Sequence, residues 1–236
     1  MKKLLIIKTG TTFPSIKQKY GDFDDFIIRQ AGLPASDVIV APVYETKGLP
    51  SRKDISAVII TGSHAMVTDQ DAWSLSLGAW LRRLSPKPVP VLGICYGHQL
   101  MAQAWGGSVG YHPAGREIGT VDIELTAAGR KDILLGAMPA VFPGHVTHAQ
   151  TVLRLPPAAR LLAGNQFEPH QAYVIGDCFW GVQFHPEFDR PVTCAYIEEQ
   201  TAALIKEGRD VEKLQESVIE HDYGRELLRR FVALAK

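Results

Sequence analysis

Cysteine is scarce in this chain of 236 residues: there are three, Cys95, Cys178 and Cys194, and no two stand in C-x-x-C spacing. An odd, unspaced set suggests neither a disulfide framework nor a zinc site. A surplus of charge is also missing, with 25 Lys and Arg against 25 Asp and Glu. That balance leaves no electrostatic footprint for nucleic acid or an anionic membrane. No apolar run is long enough to span a bilayer, and the one after Met1, Lys2 and Lys3 is too brief for the core of a secretory signal. We therefore expect a cytoplasmic location, where a reactive cysteine stays reduced. Internal repeats, low-complexity tracts and a linker-like stretch are lacking too. One domain over residues 1–236 is expected, although length by itself leaves two open.

What is present is an alternation of strand and helix patterns. Leu4-Leu5-Ile6-Ile7, Val38-Ile39-Val40 and Ala57-Val58-Ile59-Ile60 are short continuous apolar runs, the pattern of strands buried on both faces. Phe23, Phe26 and Ile27 recur at helical spacing, as do Trp73, Leu77, Trp80, Leu81 and Leu84, which stop before Pro86. A β-branched stretch from Pro88 to Ile94 then returns to the sheet. This order predicts an α/β fold of flavodoxin-like kind: a mainly parallel central sheet, helices on both faces, and ligands outside the carboxyl ends of the strands. Later runs, Thr120 to Leu125, Arg160 to Ala163 and Ala172 to Ile175, are joined by Gly- and Pro-rich turns and predict a small mixed or antiparallel extension. From about residue 190 to 236 the chain reads as helical, ending in an amphipathic piece with Leu227, Leu228, Phe231 and Val232.

Two segments carry chemistry. In Gly93-Ile94-Cys95-Tyr96-Gly97-His98-Gln99, a cysteine stands between two glycines after an apolar strand and before the helical stretch Gln99 to Trp105. Glycines on either side allow the sharp strand-to-helix turn of a nucleophile elbow, with cysteine in place of serine. The sulfur would then lie at a helix N-terminus, where the macrodipole favours thiolate, and the N–H of Tyr96 would face a developing oxyanion. A small buried structural cysteine fits this pentapeptide as well. In Gly181-Val182-Gln183-Phe184-His185-Pro186-Glu187, a strand runs into a histidine and a carboxylate two positions apart, which on extended backbone face one side. A cysteine nucleophile needs a base, and the base needs an orienter: Cys95, His185 and Glu187 fill the three roles.

Together these two segments resemble the paired motifs of the class I glutamine amidotransferase family, and within it the branch similar to the glutaminase portion of GMP synthase. The resemblance runs from the first strand to about Glu187. It implies a Cys-His-Glu triad that cleaves a side-chain amide or γ-glutamyl bond through a γ-glutamyl thioester, without metal or organic cofactor. It also implies that Gly62, in the loop Ile60-Thr61-Gly62-Ser63-His64, gives the second oxyanion N–H beside that of Tyr96. This loop departs from the usual Gly-Gly-Pro form. Gln99 corresponds to a glutamine that binds the amino-acid end of the substrate. Thr147, His148, Ala149 and Gln150 resemble a Ser-His-Gly-Asp motif that holds the glutamine head group; here Gln150 replaces the carboxylate that would face a substrate ammonium. Arg116 and Glu117 read as a local ion pair, and His64 and His145 as histidines without an assigned role.

Three functions follow. The first is a glutaminase-type amidotransferase that hands ammonia to a separate synthetase partner, since no Ser-Gly-Gly-x-Asp-Ser loop of an ATP-pyrophosphatase domain occurs in the chain. The second is a stand-alone hydrolase of γ-glutamyl peptides or amines. The third is a low-turnover binding or regulatory paralogue.

Overall fold

The computed structural model describes residues 2–45, 48–49, 52–84 and 89–235. The chain begins with β1 (Lys3–Lys8), α1 (Pro14–Tyr20), α2 (Phe23–Ala31), β2 (Val38–Pro42) and β3 (Ile55–Ile60). It continues with α3 (Ala72–Leu84), β4 (Val91–Ile94) and α4 (Tyr96–Ala104). Seven strands follow: β5 (Ser108–Tyr111), β6 (Glu117–Leu125), β7 (Val141–His148), β8 (Gln150–Arg154), β9 (Ala159–Gly164), β10 (Ala172–Ile175) and β11 (Phe179–Val182). The chain closes with α5 (Arg190–Glu199), α6 (Thr201–Lys206), α7 (Val211–Glu216) and α8 (Tyr223–Leu234).

One sheet has the order β2-β1-β3-β4-β11-β10-β9-β6-β7. Its first five strands are parallel. From β11 onward every pairing is antiparallel, so the expected extension continues the same sheet through β10, β9, β6 and β7. A separate ribbon pairs β5 with β8.

The unbroken apolar runs are explained by burial on two sides. Leu4 and Ile6 join one core with Ile27 of α2 and Leu227 and Phe231 of α8, while Leu5 and Ile7 join a second with Leu77 and Leu81 of α3 and Leu100 of α4. Alternate side chains of a strand point to opposite faces, so a strand covered on both must be apolar at every position. Each Leu or Ile buried this way contributes about 1.5–3 kcal/mol relative to an exposed one.

Helix α2 shows how local signals set an element. Asp22 caps its start in a reciprocal box with Asp25, and Gly32, left-handed at φ 67°, ends it. The same Asp22 binds Lys8 at 2.8 Å, and its other oxygen accepts from the N–H of Thr12. The turn between β1 and α1 is thereby tied to α2.

One expected boundary shifts, and three strands appear that the sequence pattern did not mark. Helix α4 starts at Tyr96, not Gln99, because Gly97 and His98, unpromising by propensity, are wound into it by the elbow. Strands β5, β7 and β8 have no clear period; β7 contains Pro143 and Gly144 and is held by its full ladder with β6. Pro86 and Pro88, expected to stop α3 and open β4, fall outside the described residues.

Candidate active site

Cys95 follows β4 directly and holds φ 48° and ψ −97°. A non-glycine residue in that region costs about 1–3 kcal/mol, so the surroundings must enforce it. They do so at both ends: the Cys95 N–H donates to the Val182 carbonyl at 2.9 Å, and its carbonyl accepts from the Gln99 N–H at 3.0 Å. The glycines act differently from the sequence expectation. Neither Gly93 nor Gly97 has positive φ; the strain sits on Cys95 itself. Their role is close approach. A Cβ on Gly93 would meet the Gly97 carbonyl carbon at 2.6 Å, and one on Gly97 would meet the Ile60 carbonyl oxygen at 2.8 Å.

Strands β3, β4 and β11 are neighbours, and each sends a residue of interest past its carboxyl end: Gly62, Cys95 and His185. The loop holding Gly62 is fixed from β1, since the Thr9 hydroxyl donates toward the Gly62 carbonyl at 3.0 Å and the Ser63 hydroxyl donates to the Thr9 carbonyl at 2.9 Å. His185 Nδ1 lies 2.8 Å from Glu187 Oε1, with both side chains buried. Strand alternation does not bring this pair together, because β11 ends at Val182. A turn does, closed by the Phe188 N–H on the His185 carbonyl at 3.2 Å. The imidazole is stacked on Phe188 at 4.2 Å, and the backbone N–H of His185 donates to the His145 carbonyl at 2.8 Å. Burial alone would lower the His185 pKa, but the charge of Glu187, and after it that of Cys95, raises it to about 10.

A cavity of about 270 Å³ opens at Cys95 and His185. Tyr96, Gln99, Thr147, His148, Ala149 and Gln150 all line it, so the expected substrate-binding residues meet at one place. Gly62 and Glu187 stand behind the lining. Gln99 is held by its Nε2, which donates to the Gln150 carbonyl at 2.8 Å and to Gln183 Oε1 at 2.9 Å. Both ring nitrogens of His148 are engaged, one with Glu117 and one with the Gln150 carbonyl, each at 3.0 Å. The Thr147 carbonyl lies 4.0 Å from the Cys95 sulfur.

Arg116 and Glu117 are not paired with each other. Arg116 reaches Glu207 at 3.1 Å, while Glu117 turns inward to His148, Asn165 and Gln171. Arg116 and His64 line the cavity; His145 does not, and packs against His221 at 4.3 Å instead. The sequence reading missed Phe13, Phe23, Tyr196 and Gln200 in the wall. Phe23 and Tyr196 come from α2 and α5, Phe13 and Gln200 from the turns just before α1 and just after α5, and no local pattern marks them. Tyr196 is fixed by Thr12 at 2.6 Å and flanks Phe13 at 5.4 Å. Among the described residues no group of three or more His, Cys, Asp or Glu could hold a metal ion, and no helix is long and apolar enough to cross a membrane.

The family model described as "Glutamine amidotransferase class-I" matches residues 20–201. Gamma-glutamyl peptidase 4 of Arabidopsis thaliana is 30% identical over 207 residues, covering 85% of this chain and 82% of that protein. A GMP synthase [glutamine-hydrolyzing] of Aeropyrum pernix is 43% identical over 98 residues, which is 42% of this chain and only 18% of that longer protein. In fold, a crystal structure of a glutamine amidotransferase from Thermotoga maritima superposes with a TM-score of 0.79 at 20% identity, over 100% of this chain and 99% of that one. By this match over most of its length, the chain belongs to the class I glutamine amidotransferase family.

Proposed function

We propose that the protein is a cysteine-dependent hydrolase of γ-glutamyl amides. The observation that carries this is the meeting of Cys95, the His185–Glu187 pair and Gly62 beyond the ends of three adjacent parallel strands. In this reading Cys95 attacks the γ-carbonyl, and the N–H groups of Gly62 and Tyr96 face the oxyanion. His185, oriented by Glu187, gives its proton to the departing nitrogen, leaving a γ-glutamyl thioester on Cys95. Water, deprotonated by the same imidazole, then clears the thioester to the free acid and restores the thiol.

Two leaving groups compete. Ammonia from glutamine would make the chain a donor to a synthetase partner, and the local likeness to GMP synthase supports that reading. A peptide or amine is favoured by the likeness over most of both chains to a γ-glutamyl peptidase, and by a cavity wall with Phe13, Phe23 and Tyr196 that suits a larger, partly apolar group.

The test is release of glutamate from glutamine and from γ-glutamyl dipeptides by purified protein, with Cys95→Ala as the blank. Faster cleavage of dipeptides supports the peptidase reading, and faster cleavage of glutamine the ammonia donor. Equal rates in Cys95→Ala would sink both, and silence on all substrates would support a binding or regulatory role.

A further inference from the structure

Charge around the cavity is arranged in two layers. Among the described residues that line it there is no Asp or Glu. Of the four lining side chains that carry or can carry positive charge, Arg116, His148 and His185 are each met by an acid, Glu207, Glu117 and Glu187, while burial pushes the pKa of the fourth, His64, down. The acids are thus turned away from a ligand, each occupied by the residue in front of it. Tyr96 and Tyr196 are kept as neutral phenols by burial. The one wall group able to carry negative charge is Cys95, which faces His185 and is consumed on acylation.

Gln150 stands at the start of β8 with its amide fixed. Its Nε2 donates to the Thr68 hydroxyl at 2.6 Å, and its carbonyl is held by Gln99 and His148. The remaining polar atom, Oε1, is buried without a hydrogen-bond partner. A ligand ammonium at this position would therefore meet a neutral amide oxygen and gain a hydrogen bond without the ion pair that an acid would add.

We propose that the cavity accepts acyl groups lacking an α-ammonium, such as glutaryl or α-N-acylated γ-glutamyl amides, as readily as γ-glutamyl ones, and that Gln150 sets this tolerance. The inference rests on the amidase reading above for the placing of the acyl group.

The experiment uses the full chain carrying Cys95→Ala and compares, by calorimetry, glutamine with 4-carbamoylbutanoate, the same amide without the α-ammonium. The two dissociation constants are expected to agree within about threefold, and Gln150→Glu on that background to favour glutamine by about tenfold. Three results would overturn the inference: a preference for glutamine above about tenfold with Gln150 in place, an unchanged ratio in Gln150→Glu, or no binding of either compound. The first comparison needs no change at residue 150, so a poorly folded Gln150→Glu does not remove the test. Cleavage of γ-glutamyl and glutaryl 4-nitroanilides by the unaltered chain reports separately on the chemistry. No Cys95-dependent cleavage, with the binding ratio intact, would defeat the amidase reading and leave the recognition inference standing.

Discussion

A methyl group placed on Gly62 would lie 2.9 Å from Cε1 of His185. The two residues leave strands β3 and β11, which flank β4 in the sheet, so their contact spans the end of the strand that delivers Cys95. Gly62 thus lets backbone pass beside the imidazole that Glu187 holds at 2.8 Å.

Gly62→Ala should therefore move the ring. A misplacement of the reacting groups near 1 Å costs about a hundredfold in rate, so kcat/KM for the best γ-glutamyl substrate should fall by that order. Thermal unfolding should change by only a few degrees, about what 1 kcal/mol produces. An unaltered rate would show that this contact does not position His185.

Glu187→Gln keeps the size of the side chain and removes its charge. Turnover should fall by about a hundredfold to ten-thousandfold without vanishing, because the imidazole loses its preferred tautomer but not its place. Steady-state kinetics at neutral pH decides this, and a rate equal to that of the parent would remove Glu187 from the proposed mechanism.

The pH profile should carry the same signature. With His185 raised to about 10, the proton that the proposed mechanism gives to the leaving nitrogen stays in place through neutral pH and is lost as pH rises through that value. The stability gained from the raised pKa is complete below the unfolded value, about 6.5, and is lost over the interval up to the folded one. Glu187→Gln should move the alkaline limb of kcat/KM to lower pH. The displacement of the limb, and not its absolute place, is the test.

Gly97→Ala should act on stability before chemistry. Its Cβ would meet backbone and side chain of Ile60 at 2.8 Å, where β3 has no room to yield. Overpacking of this kind costs about 1–3 kcal/mol, measurable as a lowered denaturant midpoint at unchanged slope. A midpoint equal to the parent's would mean that the elbow relaxes freely.

Asp22 should govern acid stability. Burial would raise its pKa, but Lys8, the Thr11 hydroxyl and the N–H groups of Thr12 and Phe23 hold it well below the usual carboxylate range. Its contribution is present above the unfolded value of about 3.9 and lost as pH falls toward the folded one. Asp22→Asn should cost about 2 kcal/mol at neutral pH, less than for a fully broken buried pair because Lys8 keeps Asp24 at 2.7 Å. It should also flatten the stability curve below roughly pH 4, which urea titrations would show.

Much of the fold was legible because its signals are local. The runs at Leu4 to Ile7 and Ala57 to Ile60 mark strands by composition, and Asp22 and Gly32 mark the ends of α2 by capping. Strand β7 was not legible, because Pro143, Gly144 and three polar residues break its period and only the partner β6 supplies its pattern. The glycines of the elbow were read correctly as necessary but for another reason: contact with Ile60 and Gly97 depends on strands that meet only in the folded chain.

The amino-acid sequence alone determined the membership of the chain in its family and the residue types available for chemistry, because Cys95, His185 and Glu187 sit in short motifs whose spacing is readable. What only the tertiary structure decided is which groups share the cavity and which way their charges face. Phe13, Tyr196 and Gln200 arrive from distant elements, and Glu117 abandons its neighbour Arg116 for His148. Such pairings are set by burial, since a carboxylate removed from water must find donors wherever the fold has placed them.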